Sequence, residues 1–170
     1  MGLSSVYGVL GLKNYERKMI TKVAAFTSSG TWTVPTGATY AIAHITGGGG
    51  GTGTNTSTGG AGGNSSVAFS SGTVTATGGT FNNRNSSIDT SLSQSAGTAN
   101  SGNGGATFGN TSSASPMLWH RGQNGAEVVA GADVTAGGSI TVTVGGGGTA
   151  GTNGTTGGSG YVWIEYQVPA

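Results

Sequence analysis

The side chains able to do acid–base chemistry are few in this chain: five acids, Glu16, Asp89, Glu127, Asp133 and Glu165, and two histidines, His44 and His120. Glycoside hydrolysis needs two carboxylates held about 5–10 Å apart, and the scattered spacing of these five brings no pair together. The two histidines stand alone, without a His-x-His or His-Glu-x-x-His pattern, and there is no cysteine; a metal needs three or four such ligands converging. No Gly-x-x-x-x-Gly-Lys-Ser/Thr loop and no Gly-x-Ser-x-Gly elbow occurs. No catalytic residue, cofactor or metal is expected, and the chain does not read as an enzyme.

The chemistry left is recognition. The segment "PMLWHRG", Pro116 to Gly122, gathers Met117, Leu118, Trp119, His120 and Arg121 where large side chains are otherwise rare. Aromatic residues and arginine are the usual anchors of a binding surface, and an indole stacks on sugar rings. A second stretch, "FNNRN", offers Phe81, Asn83 and Arg84, whose amide and guanidinium groups hydrogen-bond hydroxyls. Leu118 and Trp119 equally suit a buried plug, in the core or on an axis between subunits. The sequence leaves both roles open. His44, alternating with Tyr40 and Ile42, reads as a histidine on a strand face.

These candidates need a scaffold, and its composition is far from ordinary. Glycine fills 37 of 170 positions, about three times the usual share. Only 6% of residues are charged, and the net charge of +1 would not steer nucleic acid toward the chain. No apolar run is long enough for a membrane span, and the start of the chain lacks the pattern of a secretory signal.

From residue 25 onward the texture is all-β. "GTWTVP" places Trp32 and Val34 on one face, and "ATYAIAHIT" alternates in the same way. "NSSVAFSS" and "GTVTATGG" read as strands around a Ser71–Gly72 turn, and "AEVVAGADVTAGGSITVTV" as two or three strands with turns at Gly131 and at Gly137–Gly138. The last strand, "YVWIEYQV", is apolar on both faces, which requires cover on both. Thr80 to Asn124 shows no clear period.

Residues 1–24 differ. They hold four of the six basic residues, Lys13, Arg17, Lys18 and Lys22, and Leu10 to Val23 is the one plausible helix, with Leu12, Tyr15, Met19 and Val23 on a stripe. The expected division is an N-terminal docking arm, 1–24, ahead of a glycine-rich β domain, 25–170. A solvated, frayed terminus fits the same residues.

Glycine runs at Gly47–Gly51, Gly59–Gly63, Gly102–Gly105, Gly145–Gly148 and Gly151–Gly160 follow or precede strand signatures. Glycine in regular structure costs about 0.5–1 kcal/mol against alanine, so such runs are tolerable only where side chains would be in the way. A flexible hinge, a set of left-handed turns, or extended polyglycine packed backbone to backbone all fit. Several runs in one chain favour the last. The expected fold is a small, jelly-roll-like β-sandwich with long, partly polyglycine-II loops.

The stretch "AAFTSSGTWTVPTGATYAIAHITGGGGG" resembles the opening of glycine-rich domains in tail-fibre and tail-tip proteins of tailed bacteriophages. Phe26, Gly30, Trp32, Val34, Pro35 and Gly37 match the Phe-Thr-x-x-Gly-x-Trp-x-Val-Pro-x-Gly pattern, and "SITVTVGGGG" with "GGSGYVWIEY" fits the far end. The chain is also distantly similar to the distal adhesins of T-even-type phages. It departs from them in being shorter, in having its glycine runs interrupted by Thr and Asn, and in its stronger β ends.

The resemblance implies a virion protein made in the host cytoplasm: a tail-fibre or tail-tip adhesin that recognises a host glycan or outer-membrane protein. It implies a homotrimer, with neither nucleic acid nor membrane insertion. On this reading Phe81, Asn83, Arg84, Met117, Trp119, His120 and Arg121 are the receptor-binding candidates. Leu12, Lys13, Tyr15, Arg17, Lys18, Met19 and Lys22 would dock onto other virion proteins. The alternative is a non-adhesive virion component, such as a head fibre, capsid decoration or tail part.

Overall fold

A computed structural model of the chain describes residues 18–54, 59–84, 92–95, 101–109, 118–152 and 154–170, of which 54, 82–84, 92–95, 106–109 and 118–121 are described as backbone. Among these residues there is no helix. Thirteen strands follow in order: β1 Met19–Phe26, β2 Gly30–Thr33, β3 Tyr40–Thr46, β4 Thr52–Thr54, β5 Ser65–Phe69, β6 Gly72–Ala76, β7 Asn82–Arg84, β8 Leu92–Ser95, β9 Ala106–Gly109, β10 Leu118–Arg121, β11 Glu127–Asp133, β12 Ser139–Thr143 and β13 Tyr161–Pro169.

Eight strands make two antiparallel four-stranded sheets, β1-β13-β3-β11 and β2-β12-β5-β6. Numbered among themselves, these eight run 1-8-3-6 and 2-7-4-5, the order of a jelly roll. Period-two patterning decides which side chains meet between the sheets. Ala41, Ala43 and Ile45 of β3 and Val162, Ile164 and Val168 of β13 face Trp32, Val67, Phe69, Ile140 and Val142, all buried. Trp32 and Tyr166 close one side, ring centroids 5.3 Å apart.

The first strand corrects one expectation. Residues 19–23 form strand, not helix, with Met19 opposite Pro169 and Phe26 opposite Val162. The apolar stripe read at helical spacing coincides with β-branched Ile20, Thr21 and Val23, and pairing along the whole of β13 outweighs local propensity. Gly131 is likewise no turn. It lies inside β11, and the hydroxyl of Tyr40 rests over its α-carbon. The turn after β11 is at Ala136–Gly137, where Gly137 has φ 79°, and the hairpin between β5 and β6 turns one residue earlier than expected, at Ser70–Ser71.

Three connections leave the same end of the sandwich: β3 to β5, β6 to β11 and β12 to β13. They account for the glycines. Residues 47–52 run outward from β3, and their amides donate in strict rotation: Gly47 to Ala126, Gly48 to Gly63, Gly49 to Gly158, then Gly50 to Gln123, Gly51 to Gly60 and Thr52 to Thr155, all 2.8–3.0 Å. Each neighbouring segment is met again after three residues, the period of polyglycine II. Their carbonyls accept from three other segments, Gly48 from Gly79, Gly49 from Gly148 and Gly50 from Gly105.

The central run therefore has six neighbours: 60–63, 77–80, 122–126, 102–105, 154–160 and 145–151. They close a ring through bonds such as Gly62 to Gly79, Ala126 to Thr77, Gly125 to Gly102, Gly158 to Asn103, Gly157 to Gly148 and Gly63 to Gly146. Around the ring the chain direction alternates. The central amides donate to the three inward-running segments, these donate to the three outward-running ones, and Gly79, Gly105, Gly148 and Gly151 of the outward-running ones donate back to the centre, while Gly102 donates to Ser159.

Side chains hold two sheets about 10 Å apart, whereas these seven segments touch through their backbones. A Cβ at Gly48, Gly50 or Gly51 would overlap the carbonyl of Gly146, Thr80 or Thr149. Absence of side chains is what lets the extensions of six sandwich strands pack together with a seventh segment, 102–105, around the central run 47–52, with buried amides satisfied. Of the described glycines only Gly37, Gly72, Gly102 and Gly137 have positive φ, so the lattice is a left-handed extended helix apart from its entry at Gly102.

Candidate functional site

The lattice carries the chain to an apex. Beyond it β4 and β7 pair in parallel, Thr54 opposite Arg84. Next to them β8, β9 and β10 form an antiparallel sheet, with Trp119 opposite Phe108 and Arg121 opposite Ala106. Strand β7 lies beside β10, and β4 beside β9. The described residues of Thr80 to Asn124, without visible periodicity in the sequence, thus hold four short strands and two lattice segments.

This arrangement gathers the two recognition stretches. Phe81 is exposed, at 44%, immediately after the outward run 77–80. Asn83 and Arg84 follow on β7; Trp119, His120 and Arg121 lie on the neighbouring β10. Met117 lies outside the described residues. Both strands are tied down at their lattice ends. Gly122, directly after Arg121, donates to Gly105 at 2.8 Å, and the Thr80 hydroxyl donates to the Gln123 side chain at 2.7 Å. Residues separated by 35 positions in the chain are brought to one end on strands fixed by backbone bonding.

Of the docking candidates, Lys18, Met19 and Lys22 are described, and they lie toward the other end. The Lys18 carbonyl accepts from the Ala170 amide at 2.8 Å, and Met19 and Lys22 belong to β1, on the sandwich edge. Leu12, Lys13, Tyr15 and Arg17 lie outside the described residues. Chain entry at Lys18 is at the base of the sandwich, because β1 is antiparallel to β13 and β13 leaves the lattice at Gly160.

His44 sits on the outer face of the β1-β13-β3-β11 sheet, its ring stacked on Trp163 with centroids 3.5 Å apart and planes 6° from parallel. It is a strand-face residue, and no group of three or more His, Cys, Asp or Glu side chains suited to a metal occurs among the described residues. No described helix is long and apolar enough to cross a membrane. Glu127, Asp133 and Glu165 are on the sandwich, away from the apex, so the strands that carry Arg84 and Trp119 have no described carboxylate partner for acid–base work. By backbone position, Asn83 and Arg84 on β7 and Trp119, His120 and Arg121 on β10 share the apex.

No protein-family model, curated protein or solved structure matches the chain.

Proposed function

We propose that this is a bacteriophage virion protein, a tail-fibre or tail-tip adhesin that binds the host cell surface through its apex. The reading rests on the resemblance of the Phe26–Gly37 stretch and on one structural observation that supports it. The seven-segment lattice holds Phe81–Arg84 and Leu118–Arg121 together at the end opposite Lys18 and the start of β1. A body attached at its base and stiff along its length presents side chains at its tip with little ordering entropy left to lose on contact.

The ligand class that fits Trp119, Asn83 and the two arginines is a surface glycan or an outer-membrane protein loop. The base, with Lys18 and Lys22, is the side that would join other virion proteins.

The test is binding of the full-length protein to permissive cells, compared with Trp119→Ala and Arg121→Ala variants of unchanged melting temperature. Loss of binding by tenfold or more in each is expected. Full binding by both variants would refute the apex as receptor site. Absence of binding by the unaltered protein, together with stoichiometric incorporation at capsid positions, would establish the non-adhesive virion role instead.

A further inference from the structure

The two sheets of the sandwich differ in what they turn outward. The β2-β12-β5-β6 sheet carries no charged residue. On the β1-β13-β3-β11 sheet, alternation from the buried Val162, Ile164, Ala41 and Ala43 turns Trp163, Glu165, Tyr40, Ile42 and His44 outward. In register beside them come Val23 on β1 and Val129 and Gly131 on β11. Of the six exposed large hydrophobics among the described residues, four belong to this face: Val129 is 62% exposed, Val23 56%, Tyr40 51% and Met19 44%. A hollow of about 240 Å³ opens there beside Tyr40, lined by Met19, Ile42 and Glu165.

The same alternation sorts the charges. Glu127 stands opposite Thr46, Asp133 opposite Tyr40 and Glu165 opposite Ile42, so every acid among the described residues is on this outer face. Lys22, in register with Tyr166 and Ala41, belongs to the inner side, and Lys18 precedes the strand. His44 is the only described group on the face able to take a positive charge, and its ring is stacked on Trp163. Glu165 stands at the middle, half-buried between Val23 and Ile42. Among the described residues its carboxylate makes no hydrogen bond or ion pair. A carboxylate set among apolar side chains attracts a cation more strongly than one in open water.

We infer that this face docks an apolar segment of another protein that carries lysine or arginine. The aliphatic stem of such a side chain fits against Met19, Ile42 and Tyr40, and its charged head reaches the Glu165 carboxylate and the tyrosine ring. The Tyr40 hydroxyl rests over the Gly131 α-carbon, so the ring leans across the sheet and walls the hollow. Glu127 and Asp133 extend the negative charge along β11. By strand spacing and rise the face measures roughly 15 by 25 Å. That suits one extended segment and falls short of the roughly 800 Å² that a standard interface buries on each partner. A second copy laid face to face would set acid against acid, and nucleic acid or an anionic lipid surface would be repelled in the same way. The inference stands on this sheet alone and does not depend on the adhesin reading, whose test is made at the apex.

Titration of the full chain with a dye-labelled peptide alternating lysine and leucine tests it, with thermal melting as the check on folding. The same peptide with glutamate in place of lysine is the control. Saturable binding of the lysine peptide is expected, with the glutamate peptide at least tenfold weaker. Glu165→Gln, which keeps the side chain's shape, should weaken binding of the lysine peptide at least tenfold at an unchanged melting temperature, and Tyr40→Ala, at an exposed position, should do the same. Failure of the lysine peptide to bind, equal binding of the two peptides, or binding indifferent to Glu165→Gln would overturn the inference. Binding seen only after removal of residues 1–17 would also overturn it, by giving the face to that segment. Binding seen only when an assembly is diluted to monomer would overturn it by giving the face to a second copy.

Discussion

Gly50 lies with its α-carbon against the carbonyl oxygen of Thr80, in the place a β-carbon would occupy, while its amide donates to Gln123 at 2.9 Å. The contact is backbone on backbone, with a Cα–H aimed at an acceptor and no flexible side chain to give way. Gly50→Ala is therefore expected to destabilise by about 3 kcal/mol or more, at or beyond the upper end for overpacking. Gly146 belongs to the same lattice, yet a Cβ there meets nothing within 4 Å. Gly146→Ala should be neutral, or stabilising by about 0.5 kcal/mol through the unfolded chain. Denaturant unfolding of the two variants measures the difference; equal effects would mean the segments are not in close contact.

The same packing sets amide exchange. Residues 47–52 are buried and donate to named carbonyls, so their amides should exchange only on global opening. The Ser70–Ser71 turn, exposed on the opposite side of β5 and β6, should exchange through local fluctuation, faster by orders of magnitude. Rapid exchange at 47–52 in folded protein would show that the lattice bonds do not persist.

Much of the sandwich was legible because its signals are local. Trp32 and Val34 lie inside together, as their shared face implies, and β3 alternates as its pattern reads; β13, apolar on both faces, has its inner side fixed only by the facing sheet, which buries Val162 and Ile164. The glycine tracts were legible as packed segments, but two of the seven were not found. Thr77–Thr80 and Gly122–Ala126 carry only two glycines each, at the places where a neighbour's carbonyl intrudes; period-three contact tolerates Thr80, Gln123 or Ala126 where the side chain points out of the lattice. Pairing of β7 with β4 and of β10 with β9 had no local signature at all, since lattice-held strands need no apolar face of their own. The edge strand β1 was hidden for another reason. Its stripe fits both periods, and the partner that decides between them, β13, is at the far end of the chain.

Ser65 is the polar residue at the junction of sheet and lattice. Fully buried, its hydroxyl donates to the Thr46 carbonyl at 2.7 Å and accepts from the Gly145 amide at 2.9 Å. It thereby joins the outgoing ends of β3 and β12 at the first residue of β5. Ser65→Ala removes both bonds and leaves a buried carbonyl and amide without that partner, so a loss of about 3 kcal/mol is expected. Chemical denaturation measures it, and a loss below about 1 kcal/mol would mean that water enters the junction and replaces the hydroxyl.

The position of β1 separates two truncations that the sequence alone would treat alike. Removing residues 1–17 leaves the whole of β1, whose first residue is Met19, and should change stability by no more than about 0.5 kcal/mol. Removing residues 1–24 leaves only Ala25 and Phe26 of the eight-residue strand, strips the ladder from β13 and uncovers Tyr166 and Val168. A loss of roughly 3–5 kcal/mol should follow from the apolar area and ladder bonds exposed. Melting curves decide the first point. Incorporation of the shorter truncation into particles decides the second: if residues before β1 dock the protein, the 1–17 deletion folds and is left out of virions. Normal incorporation would move the docking surface onto the sandwich base, where Lys18 meets Ala170.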